Sequence, residues 1–559
     1  MPGLTLIFKK IDMKNIMIKH YRFIGVFVAV LIATGCQEDF LDQTPKDSLT
    51  EETVWTDPQG ATQFVNAIYG EMPSGFDRSY DGWAKGLYLL DGASDDGDVS
   101  MGWTHSTLLQ NAQFLPSYVP WGNMWGTYYN LIRKTNVALE NLERLEDEEL
   151  KTRLTGEVYY LRGFIYHELL RLFGAKTEGG KPTGVPLIET SLDIEDDLQI
   201  PRATYAEVVD FIVADLDRAA SILPTKGGIA AGRATADAAK AIKGRVLLYA
   251  ERWEESAAAS NELIGANYSL FGNYKELFLT KNNEEIIFAK KFAYPDKHHQ
   301  SNAGGTAGAG WDVYNTPPSF RGPSDAGWGG NLPTQNLVDS YDMIDGEPQD
   351  ESTLYDPENP YENLDPRFEQ TIVHNGSTFR GREIELFEGG IDKPFIYTGY
   401  FLRKFHNEDL AIYSRSSDQD WIFVRYAEVL LNYAEAKNEA TGPDASIYEA
   451  INSIRNRAGM PDLEAGLSKD ALREAIRNER RIELAFEEHR FFDIRRWKIA
   501  ESLLNGPVQG IKIIKNADGS LDYAKVDFEQ RSFPSKLYVL PIPQGEIDKN
   551  PAAEQILGW

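Results

Sequence analysis

Along much of the chain the apolar residues recur every three or four positions, a spacing that holds them on one face of an α-helix through several turns. Leu154, Val158, Leu161, Ile165, Leu169 and Leu172 follow this rule, and so do Tyr205, Val208, Ile212, Leu216, Ala219 and Leu223, which stop at Pro224. Ala239, Ile242, Val246, Tyr249 and Trp253 form a third stripe. Phe423, Ala427, Leu430 and Ala434 form a fourth, and Ile447, Ile451, Ile454 and Ala458 a fifth. A sixth, less regular, runs from Leu472 to Trp497. Leu247–Glu251 (LLYAE) is similar to Leu430–Glu435 (LLNYAE). Small residues at Ala239, Gly244, Ala250, Ala427 and Ala434 would let neighbouring helices approach closely, as in stacked helix-pair repeats. About 150 residues separate the two blocks. The pattern therefore predicts a mostly α chain, an interrupted helical solenoid with helical-repeat segments at about 130–267 and 421–500.

The interruption, about 268–420, is built of different material. It is dense in Gly, Pro and aromatics, with Ser301–Gly310 (SNAGGTAGAG) leading into Trp311, and such composition predicts loops and short strands. A second aromatic-rich, loop-like stretch runs from Tyr80 to Tyr129. Loops carried on a rigid helical frame are where binding concentrates.

The amino terminus has its own pattern. Lys14, Lys19 and Arg22 precede an uninterrupted apolar run of 11 residues, Phe23–Ala33, which fits the core of a secretion signal and is too short to span a bilayer. Met13 is an alternative start to Met1. Ala33-Thr34-Gly35-Cys36 follows, and Cys36 is the only cysteine among 559 residues. The order resembles a bacterial lipobox, in which the thiol takes a diacylglycerol and the preceding residues are removed; Ala33 stands where the usual Leu would be. The rival reading is an A-x-A-type cleavage that leaves a free thiol. Lipidation is the expectation, since a lone cysteine has no disulfide partner. Residues 1–35 are then a signal peptide, 36–55 a lipidated tether and 56–559 the body. Several acyl chains at roughly 0.8 kcal/mol per buried CH₂ hold a protein on a membrane essentially permanently.

Charge narrows the choice of partners. The chain has 57 basic and 85 acidic side chains, of which residues 1–35 hold five and one, so the remainder carries 52 and 84, a formal charge of −32. That balance disfavours nucleic acid, whose binding depends on neutralising phosphates, and docking of the body onto anionic lipid. Neutral glycans and basic peptides remain compatible.

Motifs for catalysis are missing: there is no H-E-x-x-H, G-x-S-x-G or P-loop. Nothing singles out a pair of carboxylates for glycoside hydrolysis among so many acids. The loop with Asp91, Asp95, Asp96 and Asp98 (DGASDDGD) is oxygen-rich but lacks the EF-hand order. Turn residues capping a helix or hairpin are the stronger reading, and no metal or cofactor is assigned. Glu479, His489 and Asp493 fall near an apolar stripe beside Arg480, Arg481, Arg490, Arg495 and Arg496. A salt-bridge network is the expectation there, because buried acids require partners.

Several segments resemble one family, the SusD/RagB-type outer-membrane nutrient-binding lipoproteins of Bacteroidetes. They are Phe40-Leu41-Asp42 with Trp55; Glu157–Gly174 (EVYYLRGFIYHELLRLFG) followed by Gly184–Leu187; Asp365–Phe368; and Tyr400–Phe405. Arg425–Leu431 with Ala434–Ala436, Tyr538–Gln544 and the terminal Gly558-Trp559 extend the likeness. Asn478–Trp497 (NERRIELAFEEHRFFDIRRW) is the most specific. Matches are weak at about 75–130 and 295–350, in the loops. The resemblance implies tetratricopeptide-like helix pairs on one side and a loop-rich ligand face on the other. It implies a partner TonB-dependent transporter of the SusC type, and export to the cell surface directed by Gln37-Glu38-Asp39.

The chain is accordingly expected to be a surface-exposed outer-membrane lipoprotein, not an enzyme, that binds an extracellular oligo- or polysaccharide, or alternatively a peptide, and passes it to that transporter. A secreted glycosidase and a helical-repeat scaffold are lesser alternatives. Sugars are gripped by flat aromatic faces with polar groups nearby. By position in the loops, Trp103, Trp311, Tyr314 and Trp328 are the candidate platforms, and Asp95, Asp98 and Arg321 the candidate hydroxyl partners.

Overall fold

The computed structural model describes residues 51–76, 78, 88–102, 104–176, 183–294, 311–320, 327–393, 397–410 and 417–559. Cys36, the export tripeptide, Trp103 and Arg321 lie outside them.

Helices α1 (Pro58–Glu71), α2 (Asn123–Asn141), α3 (Glu148–Phe173), α4 (Tyr205–Ile222), α5 (Ala236–Tyr249) and α6 (Trp253–Asn261) follow in chain order, each packed on the next. Their starts are set by side chains that satisfy the first free N–H groups. Asp57, Asp147 and Thr235 cap α1, α3 and α5, and Thr204 with Glu207 forms a reciprocal capping box on α4. Stripe residues Leu154, Val158, Leu161, Ile212, Leu216 and Ile242 are buried between these helices. A Cβ at Gly244 would lie 2.7 Å from Ser260 Oγ, so any larger residue there would have to displace that hydroxyl where α5 and α6 meet.

After the insert come α7 (Tyr426–Thr441), α8 (Ala445–Ala458), α9 (Lys469–Glu483) and α10 (Arg490–Arg496). α6 packs directly on α7, so the solenoid continues across the interruption, and α7 also meets α5, α8 and α9. Arg245 of α5 forks onto Glu428 of α7 at 2.7 and 2.5 Å, and Arg162 of α3 onto Asp215 of α4 at 2.7 and 2.9 Å.

The periodicity misplaced three element ends. Trp253 does not extend α5: the chain turns at Glu251, whose φ is +59°, and Trp253 opens α6. Phe423 lies in a strand, and α7 starts only at Tyr426. The stripe from Leu472 to Trp497 is broken between α9 and α10, where Phe486 and Glu488 take φ of +59° and +63°. Leaving the helix there drops Phe486 into the second core and lets Glu488 reach Arg78 and accept from the Leu90 N–H.

That second core belongs to the insert. Strands β1 (Gly97–Val99), β2 (Ile286–Lys290), β3 (Asn331–Pro333), β4 (Trp421–Arg425), β5 (Gly506–Lys515) and β6 (Leu521–Arg531) form antiparallel pairs β1–β3, β2–β4 and β5–β6. The β2–β4 pair closes the base of the insert, with Lys290 opposite Trp421. The β5–β6 hairpin turns through Asn516–Ser520, where Gly519 has φ +92°, and Ile511 and Ile513 join the second core.

Candidate functional site

Aromatic residues from distant parts of the sequence meet in one node inside the second core. Phe76 packs against Phe292, Trp311, Phe405 and Trp421 with ring centroids 6.3, 5.1, 5.3 and 5.0 Å away. Gly75 makes the approach possible, since a Cβ there would fall 2.4 Å from Trp421 Cη2. The node residues come from separate parts of the sequence, Phe76, Phe292, Trp311 and the Phe405–Trp421 segment. Strand pairing and aromatic packing therefore bring four remote parts of the chain to one place.

Trp311 was expected as a platform, and the structure corrects this. It is 0 % exposed, with Phe76, Phe405 and His406 around its ring. The cause is its neighbour: Asp312 Oδ1 accepts from Asn407 N–H at 2.9 Å and Arg380 Nη2 at 3.1 Å, and Asp312 also takes the Ser417 hydroxyl, which anchors this helical turn inward. Burial works against the Asp312 charge, but His406, Ser417 and Arg380 outweigh it and hold the carboxyl below its ordinary range. The Asp312, His406 and Ser417 set is not a hydrolytic triad, because the serine bonds to the aspartate and not to the imidazole.

Tyr314 is likewise buried, its hydroxyl without a hydrogen-bond partner and its pKa pushed up to about 12 by burial. Trp328 lies over it edge-on, centroids 5.3 Å apart, and the Trp328 N–H donates to Tyr314 O at 3.1 Å. Trp328 is half-buried, and among the described candidate platforms it alone keeps solvent access. Tyr294, not singled out from the sequence, is 46 % exposed at the rim of the node, with its N–H on Asp418 Oδ2 at 3.2 Å. Periodicity carried no signal for it: positions 292 and 294 are two apart and would share one face of a strand, whereas the chain turns at Tyr294 and leaves its ring outside.

Asp95 and Asp98 do not point at solvent, which corrects their assignment as hydroxyl partners. Arg490 grips Asp95 with two bonds of 2.9 and 2.7 Å, and Arg481 adds one of 3.1 Å. Burial opposes ionisation, yet these guanidinium groups hold the Asp95 carboxyl far below its ordinary range. Asp98 accepts from Gln110 Nε2 at 2.9 Å and stands 3.6 Å from Arg531; here burial prevails and lifts its pKa to about 6. The acidic loop is thus a structural clasp between the β1 region and the turn from α9 to α10. Asp95 and Asp98 therefore bridge to arginines and do not cap a helix or hairpin, the role expected of them as turn residues.

The expected ion-pair network is larger than the 472–497 segment. Arg425, buried at the junction of β4 and α7, touches Glu285 at 2.6 Å, Glu483 at 2.6 Å and Glu487 at 2.7 Å. Glu483 also meets Arg367 and Arg457, and the three cations hold its carboxyl well below the usual range against the opposing effect of burial. Glu479 pairs with Arg367 and Arg455, and Asp493 with Arg480 and Arg496. Each acid weighed from the sequence for chemistry, Glu479 and Asp493, is therefore tied to arginine, and His489 is buried with its pKa depressed, first by burial and then by Arg480. The network joins Glu285 of the insert to α9 of the solenoid.

Sequence and structure comparisons agree with this architecture. A model described as the SusD family matches residues 284–559, and one described as starch-binding associating with outer membrane matches residues 39–248. SusD-like protein P25 of Formosa agariphila is 26 % identical over 503 residues, covering 85 % of this chain and 89 % of that protein. SusD-like protein P2 of the same organism is 25 % identical over 551 residues, covering 95 % and 98 %. Among solved structures, a SusD-like protein from Bacteroides fragilis superposes with a TM-score of 0.77 at 30 % identity, covering 92 % of this chain and 100 % of that one. A SusD-like carbohydrate-binding protein from the same species gives 0.76 at 26 % identity, covering 90 % and 100 %. With helix pairs on one side, an aromatic-cored insert on the other and matches along nearly the whole length, the chain belongs to the SusD family.

Proposed function

We propose that this protein captures an extracellular oligo- or polysaccharide on the loop-rich face and hands it to a TonB-dependent transporter of the SusC type, without breaking a bond. The observation that supports it most is the match along nearly the whole chain to a family with a carbohydrate-binding member of known structure. On this reading Trp328 and Tyr294 offer their rings to sugar C–H faces, and the aromatic node beneath holds them in place. Trp103 and Arg321 remain candidates for the same face. A lipid on Cys36 would tether the chain to the outer membrane, with Gln37-Glu38-Asp39 directing it to the cell surface.

A glycan array probed with the purified protein, beside a pool of peptides, tests the ligand class. Sugar–aromatic stacking contributes about 1 kcal/mol or somewhat more, so Trp328→Ala should weaken the best glycan by roughly ten-fold while the protein stays folded. Glycan affinity unchanged in both Trp328→Ala and Tyr294→Ala would remove the platforms from the reading. Peptide capture is favoured by one observation, the formal charge of −32 beyond residue 35, which steers basic peptides toward the surface. Selective retention of basic peptides, with no glycan hit, would establish that reading instead.

A further inference from the structure

The helical half of this acidic protein contains a basic pocket. A recess of about 70 Å³ lies between the end of α3, the turn after α5, α10 and the segment around Tyr538. Arg171, Lys176, Arg495, Arg496 and Lys498 line it, against Glu251 as the one acid. It adjoins a cavity of about 190 Å³ that shares Tyr249, Glu251, Arg496 and Lys498 with it and adds Arg473 and Arg477 together with Glu435 and Glu439, which pair with Arg496 and Arg473 and leave that second space near neutral. No residue of the aromatic node lines either one.

Some of these cations are neutralised by the fold. Lys176 pairs with Glu251 at 2.6 Å, Arg171 with Glu168, and Arg496 with Glu435 and Asp493. Two are not. Arg495 is 8 % exposed, its guanidinium 3.6 Å over the Phe491 ring, with one bond of 2.7 Å to the Phe491 carbonyl and no carboxylate. Lys498, which is exposed, places its ammonium 4.3 Å over the Tyr538 ring, with no carboxylate paired to it among the described residues. Arg171 Nε also meets no acceptor. A buried cation without a counter-charge is strongly disfavoured, so an anion entering the recess relieves that cost at Arg495, while exposed Lys498 offers it a mobile second donor at the opening. Burial depresses the Arg495 pKa to about 9, in keeping with an uncompensated charge.

The backbone gives an independent sign. Glu251 and Lys498, which line both recesses, have φ of +59° and +58°, a left-handed conformation that is unfavourable for long side chains. Each is locked there by its neighbours: Arg252 N–H donates to Leu247 O at 2.9 Å, and Ile499 N–H to Ile494 O at 3.0 Å. The strained turns are what carry these two side chains to the same opening.

We propose that this pocket binds a compact oxyanion, a sulfate or phosphate group, either free or carried on a sugar. Guanidinium and ammonium donors suit that chemistry, and the volume admits one such group. The site is separate from the glycan face, and its existence does not depend on that assignment.

Thermal melting and calorimetry of the full-length protein at constant ionic strength test it, with sodium sulfate, sodium phosphate, glucose 6-sulfate, glucose and sodium chloride as probes. Sulfate or phosphate should give a saturable rise in melting temperature that chloride does not. Lys498→Asn, which tolerates the left-handed backbone, and Arg495→Met should each weaken that affinity about ten-fold or more. If Arg495→Met fails to fold, Lys498→Asn decides. Glucose 6-sulfate binding more tightly than free sulfate, with glucose inert, identifies a sugar-borne group; the reverse order identifies the free ion. Sulfate stabilises proteins generally through exclusion from their surface. A rise that is linear in sulfate and identical in both variants is that general effect, and it overturns the proposal.

Discussion

Replacing Trp311 by alanine separates a packed node from a ligand platform. The ring has no accessible surface and three aromatic neighbours, Phe76, Phe405 and His406, at 5.1, 5.4 and 6.2 Å. Removing a buried aromatic ring loses its transfer energy and leaves a cavity, together about 3–5 kcal/mol. The node has little freedom to collapse into that space, because Phe76 is already held against Trp421, so the upper half of the range is expected. Trp311→Phe should cost less than half as much: most of the ring contacts survive, and the indole N–H, which meets no acceptor, is removed. Urea unfolding followed by far-ultraviolet circular dichroism gives the comparison, read as a shift in midpoint at constant slope. Trp328→Ala is the control, expected to lower the midpoint much less because its ring is only partly buried, against Tyr314. The reasoning fails if Trp311→Ala unfolds at the wild-type midpoint while losing glycan affinity, since that result would make Trp311 a surface residue in the working protein.

Arg425→Met should destabilise the fold by about 3–5 kcal/mol, because Glu285, Glu483 and Glu487 would lose a shared buried cation; a loss under 1 kcal/mol in the same urea assay would show the arginine to be dispensable. Burial raises the Asp98 pKa to about 6, so the folded state holds that proton more tightly than the unfolded chain does. The sign follows: stability should fall as pH rises from about 4 to about 6, by about 3 kcal/mol from this group, and Asp98→Asn should flatten that part of the profile. An identical slope in wild type and variant would reject the assignment. Cys36→Ser should release the protein from membranes, and a fatty-acid label that never enters the wild type would end the lipid-anchor reading.

The sequence alone determined what short-range rules control. Helical stripes such as Leu154–Leu172 and Tyr205–Leu223 are visible because a buried helix face must repeat every 3.6 residues, and they became α3 and α4. The family was legible because Asn478–Trp497 and its companion motifs encode that packing. The β5–β6 hairpin carried its own local sign, Asp518-Gly519 between alternating residues, a period of two that helical spacing does not register. Exposure was different. Trp311 and Trp328 sit 17 positions apart in similar Gly- and Pro-rich surroundings, yet one is fully buried in the node and the other rests partly exposed against Tyr314. What separates them is Asp312, drawn inward by Arg380, Asn407 and Ser417, residues about 70 to 105 positions away. The fate of Asp95 was decided in the same way, by Arg490 nearly 400 residues on. Composition marks a residue as suited to a sugar or to a core, because both exploit the same apolar ring. Only the tertiary fold, which chooses the partners that cover it, decides between them.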